Sequence, residues 1–175
     1  MSNTELRIKP RRAGIELKSQ LGIDIAGLAK QYARLKVPYV HRGSSRNGCD
    51  CSGLIIGCLQ ELGHLADYAV PVYSPQWHLH DRHDTRLLDE LLKFGFEVAK
   101  SESAIGDIAV MRTGRSLAHC GLIVEKDLMV HVNRQNGQCK FAILKNSDWA
   151  WRWITTVRID EKKVQGFNGS RVQRL

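Results

Sequence analysis

The sequence predicts an α+β fold, in which N-terminal helices pack on an antiparallel β-sheet formed by the later part of the chain. Residues 23–35 carry apolar side chains at helical spacing, and residues 51–63 form a dense apolar run. From Gly106 onward, short apolar runs alternate with turn residues, which is typical of consecutive strands. With 175 residues, 43% of them hydrophobic, the chain is long enough for the core of one domain.

Two amphipathic helices are predicted. Ile23–Leu35 has one apolar face, and Val37-Pro38 ends it because the position before a proline disfavours helical backbone angles. Thr85–Phe94 repeats leucine with the same period. Each helix is therefore expected to bury one face in the core.

A third predicted helix, at residues 51–63, is apolar on nearly every side, which indicates a buried helix. Asp50 suits the N-cap and Gly63 suits the C-terminal stop. Cys51 then falls in the first turn, where unpaired N–H groups and the helix dipole favour an anion. Because a thiol is a good nucleophile only as thiolate, this position predicts a reactive cysteine. Cys58, farther along the helix, is expected in the core.

The remaining chain is predicted to form strands. Thr113–Ser116 and Glu125–Asp127 are turn-like. The strands before and after Glu125–Asp127 should pair antiparallel, because the turn between them is short. Trp149, Trp151 and Trp153 alternate, which predicts that they share one face of the last strand. Packing in the core or an interface is their expected role, with stacking on a sugar as the alternative. The predicted strands are Phe96–Val98, Ile108–Met111, Cys120–Val124, Leu128–Val132, Phe141–Leu144 and Trp151–Ile159.

His119 and His131 lie in two strands joined by the turn at Glu125–Asp127. Antiparallel pairing would bring the two imidazoles side by side. One would take the thiol proton of Cys51, and the other would hold the first in the correct tautomer. The predicted catalytic residues are therefore Cys51, with His119 as base and His131 as orienting residue.

Five segments follow one another along the chain: Val37-Pro38-Tyr39, Gly48–Leu54, Gly106–Val110, Ala118–Gly121 and Met129–His131. In this order they resemble the NlpC family of papain-like cysteine peptidases, which cut stem peptides of bacterial peptidoglycan. The resemblance covers roughly residues 22–159 and implies a papain-like fold with the catalytic cysteine at a helix N-terminus packed on an antiparallel sheet.

The resemblance also implies a substrate site. The Tyr39 hydroxyl would lie near the oxyanion of the tetrahedral intermediate, with the backbone N–H of Cys51 as a second donor. Asp50 and Ser52 have ordinary capping roles. By resemblance they would also bind the free amine or the backbone of the stem peptide, which favours an uncapped L-Ala end.

The chain departs from the family in two places. His41–Ser45 stands where the family usually has an aromatic residue and two glycines, and residues 64–90 resemble an insertion. The predicted organisation is a basic arm at 1–20, a peptidase domain at 21–160 and a tail at 161–175. The tail segment Gly166–Arg171 is expected to be loosely structured or bound to a partner.

No metal or cofactor is predicted. The five cysteines form no evident disulfide framework, and Cys49 and Cys51 with His119-Cys120 match zinc-site spacing poorly. The segment containing His78, His80 and His83 also has two aspartates, which suits a metal. A surface loop or the rim of the substrate cleft is the favoured interpretation.

The predicted location is a phage or phage-like tail, in the virion. The net charge of +8 fits polyanions such as peptidoglycan, teichoic acids, lipopolysaccharide or nucleic acid. No stretch approaches the ~20 apolar residues of a membrane span, and the first ten residues lack the apolar centre of a signal peptide. Family members normally reach the wall by export. Carriage in a tail, with hub or tip proteins as partners, is therefore expected.

The sequence is consistent with three functions. The favoured hypothesis is a cysteine endopeptidase that cleaves stem peptides at the γ-D-glutamyl–diamino acid bond while the phage genome is delivered. A structural or plug protein of the tail tip with the same fold is the second, and a cytoplasmic amidase or acyltransferase is the third. Nucleic-acid binding is not predicted, since charge alone supports it.

Overall fold

A computed structural model of the chain describes residues 19–66, 68, 72 and 85–169. Three predicted features lie wholly or mostly outside these residues. They are the arm, the insertion at 64–90 and the segment with His78, His80 and His83.

Two short strands, β1 (Ser44–Ser45) and β2 (Gly48–Cys49), pair with each other just before the helix that begins at Cys51. A second, antiparallel sheet has six strands, which are β3 (Gly95–Val98), β4 (Ile108–Thr113), β5 (Ser116–Glu125), β6 (Leu128–His131), β7 (Lys140–Ile143) and β8 (Trp153–Ile159). The strand order in this sheet is β3-β8-β4-β5-β6-β7. Its helices and its sheet confirm the predicted α+β fold. The short β3 lies at one edge of this sheet, and β7 lies at the other.

Both predicted turns join neighbouring strands. Thr113 pairs with Ser116 across the first turn, where Gly114 has a φ of 62° that favours glycine. Glu125 pairs with Leu128 across the second. The second turn thus makes β5 and β6 adjacent, which places the two histidine strands side by side.

Three helices cover one face of the sheet: α1 (Gln20–Arg34), α2 (Cys51–Glu61) and α3 (Arg86–Leu92). The α2 helix is buried along most of its length, as its apolar composition predicted. Burial of each large side chain at this interface contributes about 1.5–3 kcal/mol. The core between helices and sheet includes Ile25, Ala29, Tyr32, Leu54, Ile55, Leu59, Val110, Leu122 and Val130.

The other face of the sheet carries a smaller apolar cluster that includes Met111, Ile123 and Met129. Trp149 and Trp153 pack against it. The prediction that the three tryptophans share a strand is wrong, because Trp149 and Trp151 lie in a short helix, α4 (Asp148–Arg152). Ser147 caps this helix by accepting a hydrogen bond from the Trp149 N–H, and β8 begins only at Trp153.

Helices lie at both predicted boundaries of the peptidase domain. The α1 helix begins at Gln20, and its cap Ser19 donates a hydrogen bond to Glu161. A last helix, α5 (Glu161–Gly169), begins after Asp160, whose carboxylate accepts the Lys162 N–H. The expectation of a loose segment is therefore wrong for residues 166–169. The side chain of Val164 is buried and anchors this helix on the domain.

Within the part of the chain that the structure describes, no helix has the length and apolar composition to cross a membrane.

Candidate active site

Cys51 is the first residue of α2, and the hydrogen bonds of Asp50 hold this helix start in place. The Asp50 carboxylate accepts the Gly53 N–H at 2.9 Å and the Ser52 hydroxyl at 3.2 Å. Such a cap stabilises a helix by about 1 kcal/mol. Since the first N–H groups of a helix have no partner within it, the half-buried Cys51 thiol lies where an anion is favoured.

The loop before α2 is tied to the same carboxylate. Asp50 accepts the Arg42 N–H at 2.7 Å, and the Asp50 N–H donates to the Gly43 carbonyl at 3.2 Å. A Cβ atom on Gly53 would lie 1.7 Å from that carbonyl oxygen. The glycine two residues after Cys51 is therefore required by the close approach of this loop.

His119 and His131 form a buried pair. The Nε2 atom of His119 lies 3.0 Å from the Nδ1 atom of His131, and the side chains are 5% and 0% exposed. Gly121 makes room for this pair, since a Cβ there would lie 2.7 Å from the Met129 sulfur and 3.2 Å from the His131 Cβ. The predicted side-by-side arrangement of the two imidazoles is present.

The surroundings of Cys51 favour its thiolate. The pKa of Cys51 is lowered to about 5 by its hydrogen bond with the Cys120 thiol, its hydrogen bond with His119 and the charge of the His119 imidazole. Burial and the negative charge of Asp50 act in the opposite direction. The hydrogen bond with Cys51 raises the pKa of Cys120, and burial raises the pKa of Cys58. The Cys49 and Cys139 sulfur atoms lie 3.4 Å apart, and the hydrogen bond between these thiols raises the pKa of Cys49.

His131 is neutral at physiological pH. Burial, then the charges of His119 and Lys140, lower its pKa to about 3. A neutral His131 can accept the proton on the His119 Nε2, which leaves Nδ1 of His119 for the hydrogen bond with Cys51. This arrangement can hold a thiolate beside an imidazolium, the state that a cysteine nucleophile needs.

The sequence of residues 36–158 matches the model of the NlpC/P60 family. The chain belongs to the NlpC/P60 family.

Two known NlpC/P60-type proteins and one curated relative illustrate the similarity. A "Probable endopeptidase" of Haemophilus influenzae is 28% identical over 142 residues, which cover 76% of this chain and 75% of that protein. The NlpC/p60 domain of the peptidoglycan hydrolase SagA has a TM-score of 0.53 at 15% identity, covering 79% of this chain and 98% of that one.

RipD of Mycobacterium tuberculosis, described as a non-catalytic NlpC/p60 domain protein, has a TM-score of 0.50 at 14% identity. The match covers 81% of this chain and 98% of RipD. Together with SagA, RipD supports the papain-like NlpC/P60 fold of this chain. Because the fold occurs with and without catalysis, catalytic activity depends on the residues of the site and not on the fold alone.

Tyr39, which the NlpC/P60 resemblance placed near the oxyanion, lies close to the nucleophile. Burial, then the nearby charges of Asp50 and Cys51, raise the pKa of this half-buried tyrosine. Its hydroxyl therefore stays protonated and can donate a hydrogen bond. The role of Tyr39 as an oxyanion donor remains a prediction.

Asp50 and Ser52 have the predicted capping contacts, and both side chains are buried, at 3% and 6% exposure. Their proposed contact with a substrate amine remains a prediction. The Asp50 oxygens accept hydrogen bonds from Arg42, Ser52 and Gly53.

Two residues beside His119 and His131 are not predicted from the sequence as part of the site. Cys120 follows His119 in the sequence without any local signal of a role, although its thiol forms a hydrogen bond with Cys51. Trp149 contacts both imidazoles, with ring centroids 5.3 Å from His119 and 4.7 Å from His131. No local signal revealed Trp149, because the residue was assigned to the wrong kind of element.

Among the described residues, no group of three or more histidine, cysteine or acidic side chains is arranged to hold a metal ion.

Proposed function

We propose that this chain is a cysteine peptidase that hydrolyses the stem peptides of bacterial peptidoglycan. The observation that carries the proposal is the Cys51–His119–His131 geometry. A thiol whose pKa is lowered to about 5 contacts an imidazole that is bonded to a second imidazole at 3.0 Å. The family membership and the peptidase relative support the same reaction class.

The proposed reaction has two steps. The Cys51 thiolate attacks the peptide carbonyl, while the Cys51 N–H and the Tyr39 hydroxyl stabilise the oxyanion. The His119 imidazolium protonates the leaving amine, which releases one product and leaves a thioester on Cys51. His119 then takes a proton from water, whose attack on the thioester releases the acid and restores the thiolate. His131 keeps the His119 ring oriented throughout.

The proposed scissile bond is the one between the γ-carboxyl of D-glutamate and the diamino acid. The test is to incubate the full chain with purified peptidoglycan and identify soluble fragments by mass spectrometry. We expect fragments ending in D-glutamate together with fragments that begin at the diamino acid. Cleavage at a different peptide bond would keep the peptidase assignment and reject this specificity.

A binding protein without catalysis is the second candidate, because RipD is described as adapted to peptidoglycan binding. In this chain the complete Cys51, His119 and His131 set favours hydrolysis. Co-sedimentation with peptidoglycan and no released fragments, from a folded protein with a reactive Cys51, would favour the second candidate.

The proposed route to the wall is carriage in a phage or phage-like tail tip. The net charge of +8 and the Pro10-Arg11-Arg12 segment support docking on acidic surfaces of a tail hub protein. Ser19 caps α1 and bonds to Glu161, so the docking segment is taken to end at residue 18.

Deleting residues 1–18 is expected to leave soluble peptidase activity intact and to remove the protein from purified particles. The deletion keeps Ser19, and thus the α1 cap. A second variant also lacks residues 170–175 and keeps α5, so that the folded domain is unchanged in both. Unchanged incorporation of the doubly truncated protein, measured by mass spectrometry of particles, would reject the docking role.

A further inference from the structure

The His131 ring has a buried nitrogen that the His119 contact leaves unexplained. In the arrangement in which Nδ1 of the neutral His131 accepts the His119 proton, the proton of His131 itself is on Nε2. This Nε2 is buried and has no hydrogen-bond partner among the described residues. A buried N–H without a partner destabilises the state that contains it, so a compensating contact is expected here.

The Trp149 indole is an aromatic ring that packs against His131. Its ring centroid is 4.7 Å from that of His131, with the ring planes at 67°, which is an edge-to-face arrangement. An aromatic face can accept a weak hydrogen bond from an N–H group. The contact would favour the His131 tautomer that has its proton on Nε2, which is the tautomer that His119 requires.

The same indole also covers His119. The two centroids are 5.3 Å apart, and the planes are inclined by only 33°. An aromatic face attracts a cation, so the indole can stabilise the positive charge of His119 that acts on Cys51. The ring is itself anchored, because Trp149 packs on the cluster around Met111, and the Arg152 guanidinium carbon lies 5.8 Å from its centroid.

We propose that Trp149 is a positioning residue of the histidine pair, which selects the tautomer of His131 and stabilises the imidazolium of His119 beside the Cys51 thiolate. The inference rests on the proposed function, since it concerns the same site. Its measurable effect is on the reactivity of Cys51, which can be followed without any peptidoglycan substrate.

Other charged groups around the site must be kept constant in the test. Asp50 and Cys120 act on Cys51, Lys140 acts on His131, and Arg152 lies on the indole. All of them remain in a Trp149 variant. The matched control is Trp151→Leu, because Trp151 lies in the same helix and is 66% exposed.

The experiment measures the rate of Cys51 alkylation by iodoacetamide against pH in the full chain. In Trp149→Leu we expect the midpoint to move to higher pH and the rate at pH 4, below the wild-type pKa of Cys51, to fall roughly 2- to 30-fold. Trp149→Phe, which keeps an aromatic face, should stay within about threefold of wild type. Trp151→Leu should match wild type. A folded Trp149→Leu variant with the wild-type profile would overturn the proposal, as would a Phe variant no better than the Leu variant.

A measurement on the unmodified protein covers the case in which Trp149→Leu does not fold. Imidazole nitrogen NMR of the ¹⁵N-labelled chain should show His131 neutral with its proton on Nε2. A proton on Nδ1 would overturn the proposal. Both readouts are independent of hydrolysis, so an inactive protein with the expected profile and tautomer would reject the proposed function alone.

Discussion

Cys51→Ala is expected to abolish peptidoglycan hydrolysis, with a loss on the order of 10⁶-fold, because removal of a nucleophile leaves only background reaction. The fold should survive the change. Alanine suits the first turn of a helix, and the Asp50 cap uses the backbone N–H of Gly53 rather than the Cys51 side chain. Released fragments are quantified by mass spectrometry, and folding is followed by circular dichroism and thermal unfolding.

Cys58→Ala is the matched control for this prediction, since it lies in the same helix, 0% exposed in the core. It should lower stability by about 1 kcal/mol through lost packing, and it should keep activity below its melting temperature. If both variants lose activity equally, or if Cys51→Ala stays active, the assignment of the nucleophile is wrong.

His119→Ala is expected to reduce hydrolysis roughly 10³- to 10⁶-fold, because the thiol loses its proton acceptor and the leaving amine loses its proton donor. His131→Ala should lose less, roughly 10²- to 10⁴-fold, since an orienting residue assists without reacting. Single-turnover assays on a soluble stem peptide give both rates.

The pH dependence of Cys51 alkylation tests the cause of the His119 effect. The wild-type pKa of about 5 means that the thiolate predominates above pH 5, so the alkylation rate should rise through pH 5 and level off by pH 7. Without His119, the midpoint should move up, toward the ordinary cysteine value of about 8.5. The hydrogen bond of Cys120 and the helix N-terminus remain, so the midpoint should stop short of that value. An unchanged midpoint would show that His119 does not activate the thiol.

Much of the fold could be predicted because its signals are local. The dense apolar run of α2, the Asp50 cap and the turn between β5 and β6 each follow from a few neighbouring residues. The predicted pairing of β5 with β6 followed from that short turn in the same way. The errors arose where two local signals compete. Alternating tryptophans suggested a strand, but the Ser147 cap and the contacts of Trp149 with the sheet favoured a helix.

The sequence by itself determined which cysteine stands at a helix N-terminus and which two histidines lie on adjacent strands, since capping, periodicity and turn chemistry act over a few residues. Only the tertiary structure decided what surrounds them. Cys120 bonds to Cys51 from another element, Gly121 clears space for His131, and Trp149 lies on both imidazoles. These contacts join residues that are distant along the chain. They depend on how the strands and helices pack in three dimensions, which no local pattern encodes.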